Sequence, residues 1–421
     1  MYKKKTLKNG LRIITVPMKS TQAVTVLVLV GVGSKNETKE INGISHFLEH
    51  MFFKGTKKRP NTTSIIEPLD RVGGMYNAFT GKEQTGFWAK ANYENLDIVL
   101  DWVSDIFLNS KFDEKEIAKE KGVIIQEMKM YLDTPMMYVQ DVWESLLYGD
   151  QPAGWPIIGE KDNILRFKRK DFVDYKKKHY LASNTVVCVA GNVDSENVEK
   201  KIQKYFSKIG VRDISQRPKV IERQTSPEIL IHYKKTDQTH LCLGVRGYDI
   251  FNPLKYAQIV LATLLGGYMS SRVWISVREK KGLAYYVKTA SEEMTDSGFL
   301  VTQAGIEHDK IDSVIKLILK EYRRMKEKKV SNSELRKAKD NIKGSLYLSL
   351  ESSDSKASFY ANQELLAKDI MSPSEEIEMI EKVTADDILK LANDLFQESK
   401  LNLALVGPFE DKKRFRKILK I

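Results

Sequence analysis

Two short stretches constrain this chain more than any other feature: Val187-Cys188-Val189-Ala190-Gly191-Asn192 and Leu403-Ala404-Leu405-Val406-Gly407-Pro408 repeat one pattern. Each is an apolar run closed by glycine and a turn-forming residue, which reads as a buried strand running into a turn. Their separation is what an internal duplication of roughly 200 residues leaves behind. Two related halves are therefore expected, and length agrees, since 421 residues exceed what one hydrophobic core usually serves. The expected division is a first domain over 1–211, a polar joint over 212–227 and a second domain over 228–421.

Strand-like runs fall at 10–16, 23–32, 85–91 and 185–193 in the first half, and at 228–233, 241–245, 298–305 and 401–406 in the second. They are interspersed with helical patterns such as 253–265 instead of alternating strictly with them. That arrangement predicts an α+β class, each domain a mostly antiparallel sheet covered by helices. The apolar run 23–32 is too short to span a bilayer, and Met1-Tyr2-Lys3-Lys4-Lys5 is followed by no apolar signal core. Cys188 and Cys242, each inside an apolar run, read as buried reduced thiols, so a cytoplasmic location is expected. The net charge of +12 raises the question of acidic partners. Its clusters, at 166–170, 176–178, 323–329 and 412–420, are dispersed through helix-like patterns and read as solvated faces. No nucleic-acid module accompanies them, and neither nucleic acid nor membrane is expected as a partner.

Chemistry enters at His46-Phe47-Leu48-Glu49-His50. On a helix the two histidines lie one turn apart on one face, so both imidazoles can reach a single ion, and neutral imidazole is a preferred Zn²⁺ ligand. Glu49 is left beside that ion as a free carboxylate. Ser45 is the expected helix cap, with Phe47, Leu48, Met51 and Phe52 facing a core and Gly55-Thr56 ending the run. A zinc site that does chemistry keeps three protein ligands. The candidate for the third is Glu127, in a segment where Val123, Ile124 and Met128 are expected to pack inward. Glu120 lies seven residues earlier, about two turns, and shares its face. On composition alone the preferred reading of these carboxylates is a solvated acidic stripe, with Asp113, Glu114 and Glu116 alongside.

The inverted motif, followed by Glu127 after 76 intervening residues, resembles the pitrilysin family of metallopeptidases, in particular its processing-peptidase branch. The resemblance extends along the chain. Leu7-Lys8-Asn9-Gly10-Leu11, Gly33-Ser34-Lys35-Asn36-Glu37, Gly73-Gly74-Met75-Tyr76-Asn77-Ala78-Phe79-Thr80 and Gly154-Trp155-Pro156-Ile157-Ile158-Gly159 fall in family order. Leu265-Gly266-Gly267-Tyr268 and Arg278-Glu279-Lys280-Lys281-Gly282-Leu283-Ala284-Tyr285 follow in the second half.

The resemblance implies that His46, His50 and Glu127 hold Zn²⁺, that Glu49 is the catalytic base and that Glu120 supports the site. It implies two α+β halves facing one another as a clamshell, and a homodimer. Read from sequence alone, Arg278 is a surface cation; the resemblance of its segment makes Arg278 and Tyr285 oxyanion donors from the second half. Asn77, Ala78 and Phe79 read either as a strand edge that pairs with an extended peptide or as an ordinary strand after a Gly-Gly turn. The function expected is zinc-dependent endopeptidase activity on extended peptides or unfolded segments. The rival is a non-catalytic or partner-dependent subunit of the same fold.

Overall fold

β-branched and leucine side chains dominate the strands, as a sheet covered on both faces requires. The computed structural model describes residues 2–214 and 217–421; of the expected joint, residues 215 and 216 lie outside the described residues. Its first-half strands are β1 (Lys3–Thr6), β2 (Arg12–Pro17), β3 (Ala23–Val30), β4 (Met75–Thr80), β5 (Thr85–Asn92) and β6 (Thr185–Gly191). Those of the second half are β7 (Glu228–Tyr233), β8 (Thr239–Arg246), β9 (Ala284–Glu293), β10 (Gly298–Ile306) and β11 (Leu401–Gly407).

Among the described residues the strands form two mixed sheets, ordered β1-β2-β6-β3-β5-β4 and β7-β11-β8-β10-β9. Apart from the extra edge strand β1, exchanging β2 to β6 for β7 to β11 in sequence turns one order into the other. The pairing agrees as well: β2 runs parallel to β6 and β7 parallel to β11, and the remaining pairs are antiparallel. The closing strands that suggested a duplication, β6 and β11, are thus topological equivalents.

Each sheet carries a core on both faces. β3 turns Val24, Val26, Val28 and Val30 into the larger core of the first sheet, with the helices Ile44–Met51 and Leu96–Asn109. Its Leu27 and Leu29 join Ile14, Val186 and Cys188 in a second core. The helix Ser353–Asn362 closes that second face, pinned by the buried Thr25 and Ser353 hydroxyls at 2.8 Å and by Lys90 Nζ on Asp354 at 2.7 Å. In the second sheet the helices Lys255–Gly266, Ile311–Glu327 and Ala385–Leu395 cover one face, and Pro135–Tyr148 covers the other through Val139, Trp143 and Leu147.

Two compact units result: Met1–Met128 with Trp155–Pro218 and Leu348–Ser372, and Lys129–Gly154 with Lys219–Tyr347 and Pro373–Ile421. These differ from the contiguous division 1–211 and 228–421. A helical segment of each sequence half covers the sheet built by the other, because central strands with two apolar faces need a helix on both sides. Cys188 and Cys242 are buried free thiols, both raised by desolvation. No helix among the described residues is long and apolar enough to cross a membrane.

Candidate metal centre

The motif occupies the helix Ile44–Met51, eight residues long. Isolated helices of that length are unstable in water, and tertiary contacts hold this one. Phe47, Leu48, Met51 and Phe52 are fully buried, each contributing about 1.5–3 kcal/mol. Phe47 packs edge-on against Phe172 at 4.8 Å, and Phe52 lies 4.5 Å from Phe87. Ser45 is not the cap that its position suggested. Gly43 takes that place with φ of 98° and no side-chain cap, while Ser45 Oγ meets Tyr175 Oη at 2.8 Å. Capping comes from a distance: buried Glu37 accepts from the Gly43 and Ser45 N–H groups, both at 2.8 Å, and from Asn42 Nδ2 at 2.9 Å. Burial pushes the Glu37 carboxyl up to about 7, against the pull of those donors. Three donors on one carboxylate fix the helix start and hence the direction of His46.

Glu120 and Glu127 lie on the helix Glu114–Leu132. Ile124 is buried, as expected, but Val123 is 50% exposed and does not pack inward; the helix rests on a narrower apolar stripe than expected. The seven-residue spacing brings both carboxylates to the histidines. Glu127 Oε1 stands 3.6 Å from His46 Nε2, and its Oε2 3.5 Å from His50 Nε2. Those separations exceed a good hydrogen bond and suit donors arranged about one ion; one ligand atom from each of the three residues lies within 4.8 Å of the others. Two imidazole nitrogens and a carboxylate oxygen are a donor set typical of zinc. The buried His46 Nδ1 has no hydrogen-bond partner among the described residues.

Glu120 stands behind the histidines. Its Oε1 lies 2.9 Å from His50 Nδ1 and its Oε2 2.7 Å from Lys54 Nζ. Burial would raise this carboxyl, but His50 and Lys54 outweigh it and leave it below its usual range. Burial pulls His50 down, and Glu120, Glu127 and Glu49 outweigh that pull and leave it raised. Glu127 is held low, chiefly by His46. A carboxylate on Nδ1 fixes the tautomer that presents Nε2 to a metal, and losing such a partner typically costs 10–100-fold in metal affinity. Glu120→Gln should weaken zinc binding by about that factor with the fold retained, as metal titration against a competing chelator would read; an unchanged affinity removes Glu120 from the site.

Glu49 stays outside the ligand trio. Burial raises its carboxyl, partly offset by Thr80, whose Oγ1 donates to Oε2 at 2.5 Å. Thr80 ends β4, the edge strand that also carries Asn77, Ala78 and Phe79. Asn77 Oδ1 accepts from the Ala78 N–H at 2.9 Å. Sequence reasoning gave no role to Thr80, Glu37 or Lys54. The partners of Thr80 and Lys54 lie distant in sequence, whereas those of Glu37 are five to eight residues away, a signal that was available.

Arg278 and Tyr285 lie in the second unit and are brought together there. Arg278 lies on a π-helical turn, Trp274–Glu279, with its guanidinium 4.6 Å from the Trp274 ring centre and Nη1 donating to the Tyr285 carbonyl at 2.5 Å. Tyr285, on the edge strand β9, is 73% exposed. Tyr286 points the other way, its hydroxyl 3.0 Å from His240 Nδ1. Gly266 and Gly267 close the helix Lys255–Gly266, where a side chain on Gly266 would strike Thr289.

Comparison with known proteins gives a consistent picture. The family model described as insulinase (peptidase family M16) matches residues 12–161, and the one described as the peptidase M16 inactive domain matches 166–342. A Bacillus subtilis protein named as an uncharacterised zinc protease is 38% identical over 408 residues, covering 97% of this chain and 98% of its own. A Rickettsia felis protein with the same description is 36% identical over 403 residues, covering 96% of each. Among solved structures, a protease from Helicobacter pylori superposes with a TM-score of 0.91 at 26% identity, covering 97% of this chain and 99% of that one. A chain of Complex III2 from Candida albicans shares the fold, with a TM-score of 0.86 at 19% identity over the whole of both chains.

Proposed function

The chain belongs to peptidase family M16, the pitrilysin metallopeptidases, and from that premise we propose that it is a zinc-dependent endopeptidase acting on extended or unfolded polypeptide. The observation that carries this reading is the convergence of His46, His50 and Glu127 beside a carboxylate, Glu49, that is not one of the ligands. A subunit that had lost catalysis would have no need to keep all four.

His46, His50 and Glu127 would hold Zn²⁺, with Glu120 orienting His50. When bound, zinc supplies Lewis acidity: it polarises a carbonyl oxygen and makes water a competent nucleophile near neutral pH. Glu49 then accepts the water proton and delivers it to the departing amine, a transfer that favours a carboxyl raised above its ordinary range. Thr80 holds that carboxyl in place through one oxygen and leaves the other to the proton. β4 offers the peptide a sheet edge that ends at Thr80, so main-chain pairing along Asn77, Ala78 and Phe79 would deliver a scissile bond toward Glu49. Arg278 and the Tyr285 phenol are assigned to the oxyanion that develops during attack.

Digestion of a random peptide library by the purified chain, with and without a chelator and read by mass spectrometry, tests the activity. Cleavage that the chelator abolishes is the expected result, and no cleavage by the zinc-loaded chain would overturn the reading. For the second unit, Arg278→Ala and Tyr285→Phe should each lower kcat on the order of 10²-fold with bound zinc unchanged. A rise in KM at constant kcat would reassign both to substrate binding.

A further inference from the structure

A concave site lies within the first unit, lined by none of the proposed catalytic side chains. It is a cleft of about 930 Å³, a size typical of small-molecule sites. Its apolar lining includes Phe107, Phe112, Val173, Tyr180 and Ile209; Lys111, Lys115, Arg169, Lys177 and Lys208 stand around it. With Lys57, Lys176 and Arg212 the described lining holds eight cationic side chains against two carboxylates, Asp113 and Glu114, a formal excess of +6.

Lys176 makes this more than a basic surface. Its sequence neighbourhood, three consecutive lysines, predicts a solvated helix face, and Lys177 and Lys178 are indeed exposed. The Lys176 ammonium instead sits 5.1 Å from the Phe52 ring centre and 5.4 Å from that of Phe112, donating to the Leu108 carbonyl at 3.0 Å. Its other two N–H bonds have no acceptor, and it has no carboxylate partner, among the described residues. Burial pushes this ammonium down to about 7 with no acidic group opposing the shift. Lys176 is half-buried, and a cation that gives up part of its hydration without a counter-charge bears a cost that cation–π contacts recover only in part. An anion entering the cleft would supply the missing partner.

We propose that this cleft binds a small molecule with a phosphate head and an apolar body, the head bonded to Lys176 and the surrounding cations and the body laid on the Phe112 side. A concave site of this size suits a small ligand better than a flat membrane or a nucleic-acid duplex. A multivalent oxyanion matches a cleft lined by several cations better than a single carboxylate does. Nothing in this assignment uses Glu49 or the metal ligands, so it stands or falls separately from the peptidase reading.

The test is calorimetric titration of the full chain with 1-naphthyl phosphate as probe, alongside inorganic phosphate, 1-naphthol and 1-naphthoate. One saturable site per chain is expected, with the probe binding at least about tenfold tighter than any of the three controls, since charge-assisted bonds and apolar burial act together. Lys176→Met, which keeps the stem and removes the charge, should weaken the probe at least about tenfold. Lys177→Glu combined with Lys208→Glu changes exposed residues only and should do the same, which guards against misfolding of the Lys176 variant. His46→Ala should leave binding intact. The proposal is overturned by equal affinity for 1-naphthoate, by unchanged binding in both lysine variants, by equal competition from sulfate at matched ionic strength, or by loss of binding in His46→Ala.

Discussion

Glu49→Gln is expected to keep its zinc and its fold while losing about 10²–10⁴-fold in kcat, the range that general acid–base catalysis supplies. The amide matches the carboxylate in shape and can still accept from Thr80 through its oxygen, so the local packing has no reason to change. What disappears is the ability to take a proton. In the native chain burial raises this carboxyl, and the Thr80 hydroxyl and the two histidines restrain the rise; the group is therefore a better base than a solvated glutamate and still ionisable. Steady-state kinetics on a defined peptide, with elemental analysis for zinc and thermal unfolding as controls, separates the outcomes. Turnover near the wild-type rate would mean that another group moves the proton. Zinc loss in this variant would instead place Glu49 among the ligands.

How far the sequence anticipated the site depends on how local each interaction is. His46, Glu49 and His50 were legible because helical periodicity alone puts them on one turn; seven residues return Glu120 and Glu127 to one face, but only the family resemblance singled them out from a solvated acidic stripe. Glu37 was not legible as a cap, since the motif suggested a serine next to the histidine, while the buried carboxylate reaches Gly43 and Ser45 from outside the helix. Most strands were recognisable by their apolar runs, and the duplicated closing strands by their shared glycine; β1, with three lysines, and β9, with polar residues along its length, carry no such run and were not anticipated. Which helix covers which sheet was not. Pro135–Tyr148 and Ser353–Asn362 pack on strands distant in sequence, and no periodicity records a partner. Lys176 failed for a related reason: its neighbours are solvated, and only the tertiary placement of Phe52 and Phe112 half-buries its ammonium against two rings.

Loss of a ligand should show a different signature from loss of the base. Glu127→Gln retains one oxygen but replaces the other with an amide nitrogen and removes the negative charge that His46 and His50 hold in place. His46→Ala removes a nitrogen donor altogether. A three-ligand site cannot give up a donor without a cost greater than the 10–100-fold typical of a supporting partner such as Glu120, so both variants should lose zinc on dialysis against a mild chelator. Peptidase activity should fall with it. Added zinc then discriminates between the roles: it should restore occupancy in Glu127→Gln, where His46 and His50 remain, and leave Glu49→Gln inactive because that variant was never short of metal. His50 keeps its bond to Glu120 in both ligand variants, so unfolding curves in excess zinc should stay close to those of the native chain. Full zinc occupancy in dialysed Glu127→Gln would take Glu127 out of the ligand set. The 3.5 and 3.6 Å approaches to the histidines would then be ordinary ion pairing between a surface helix and the motif.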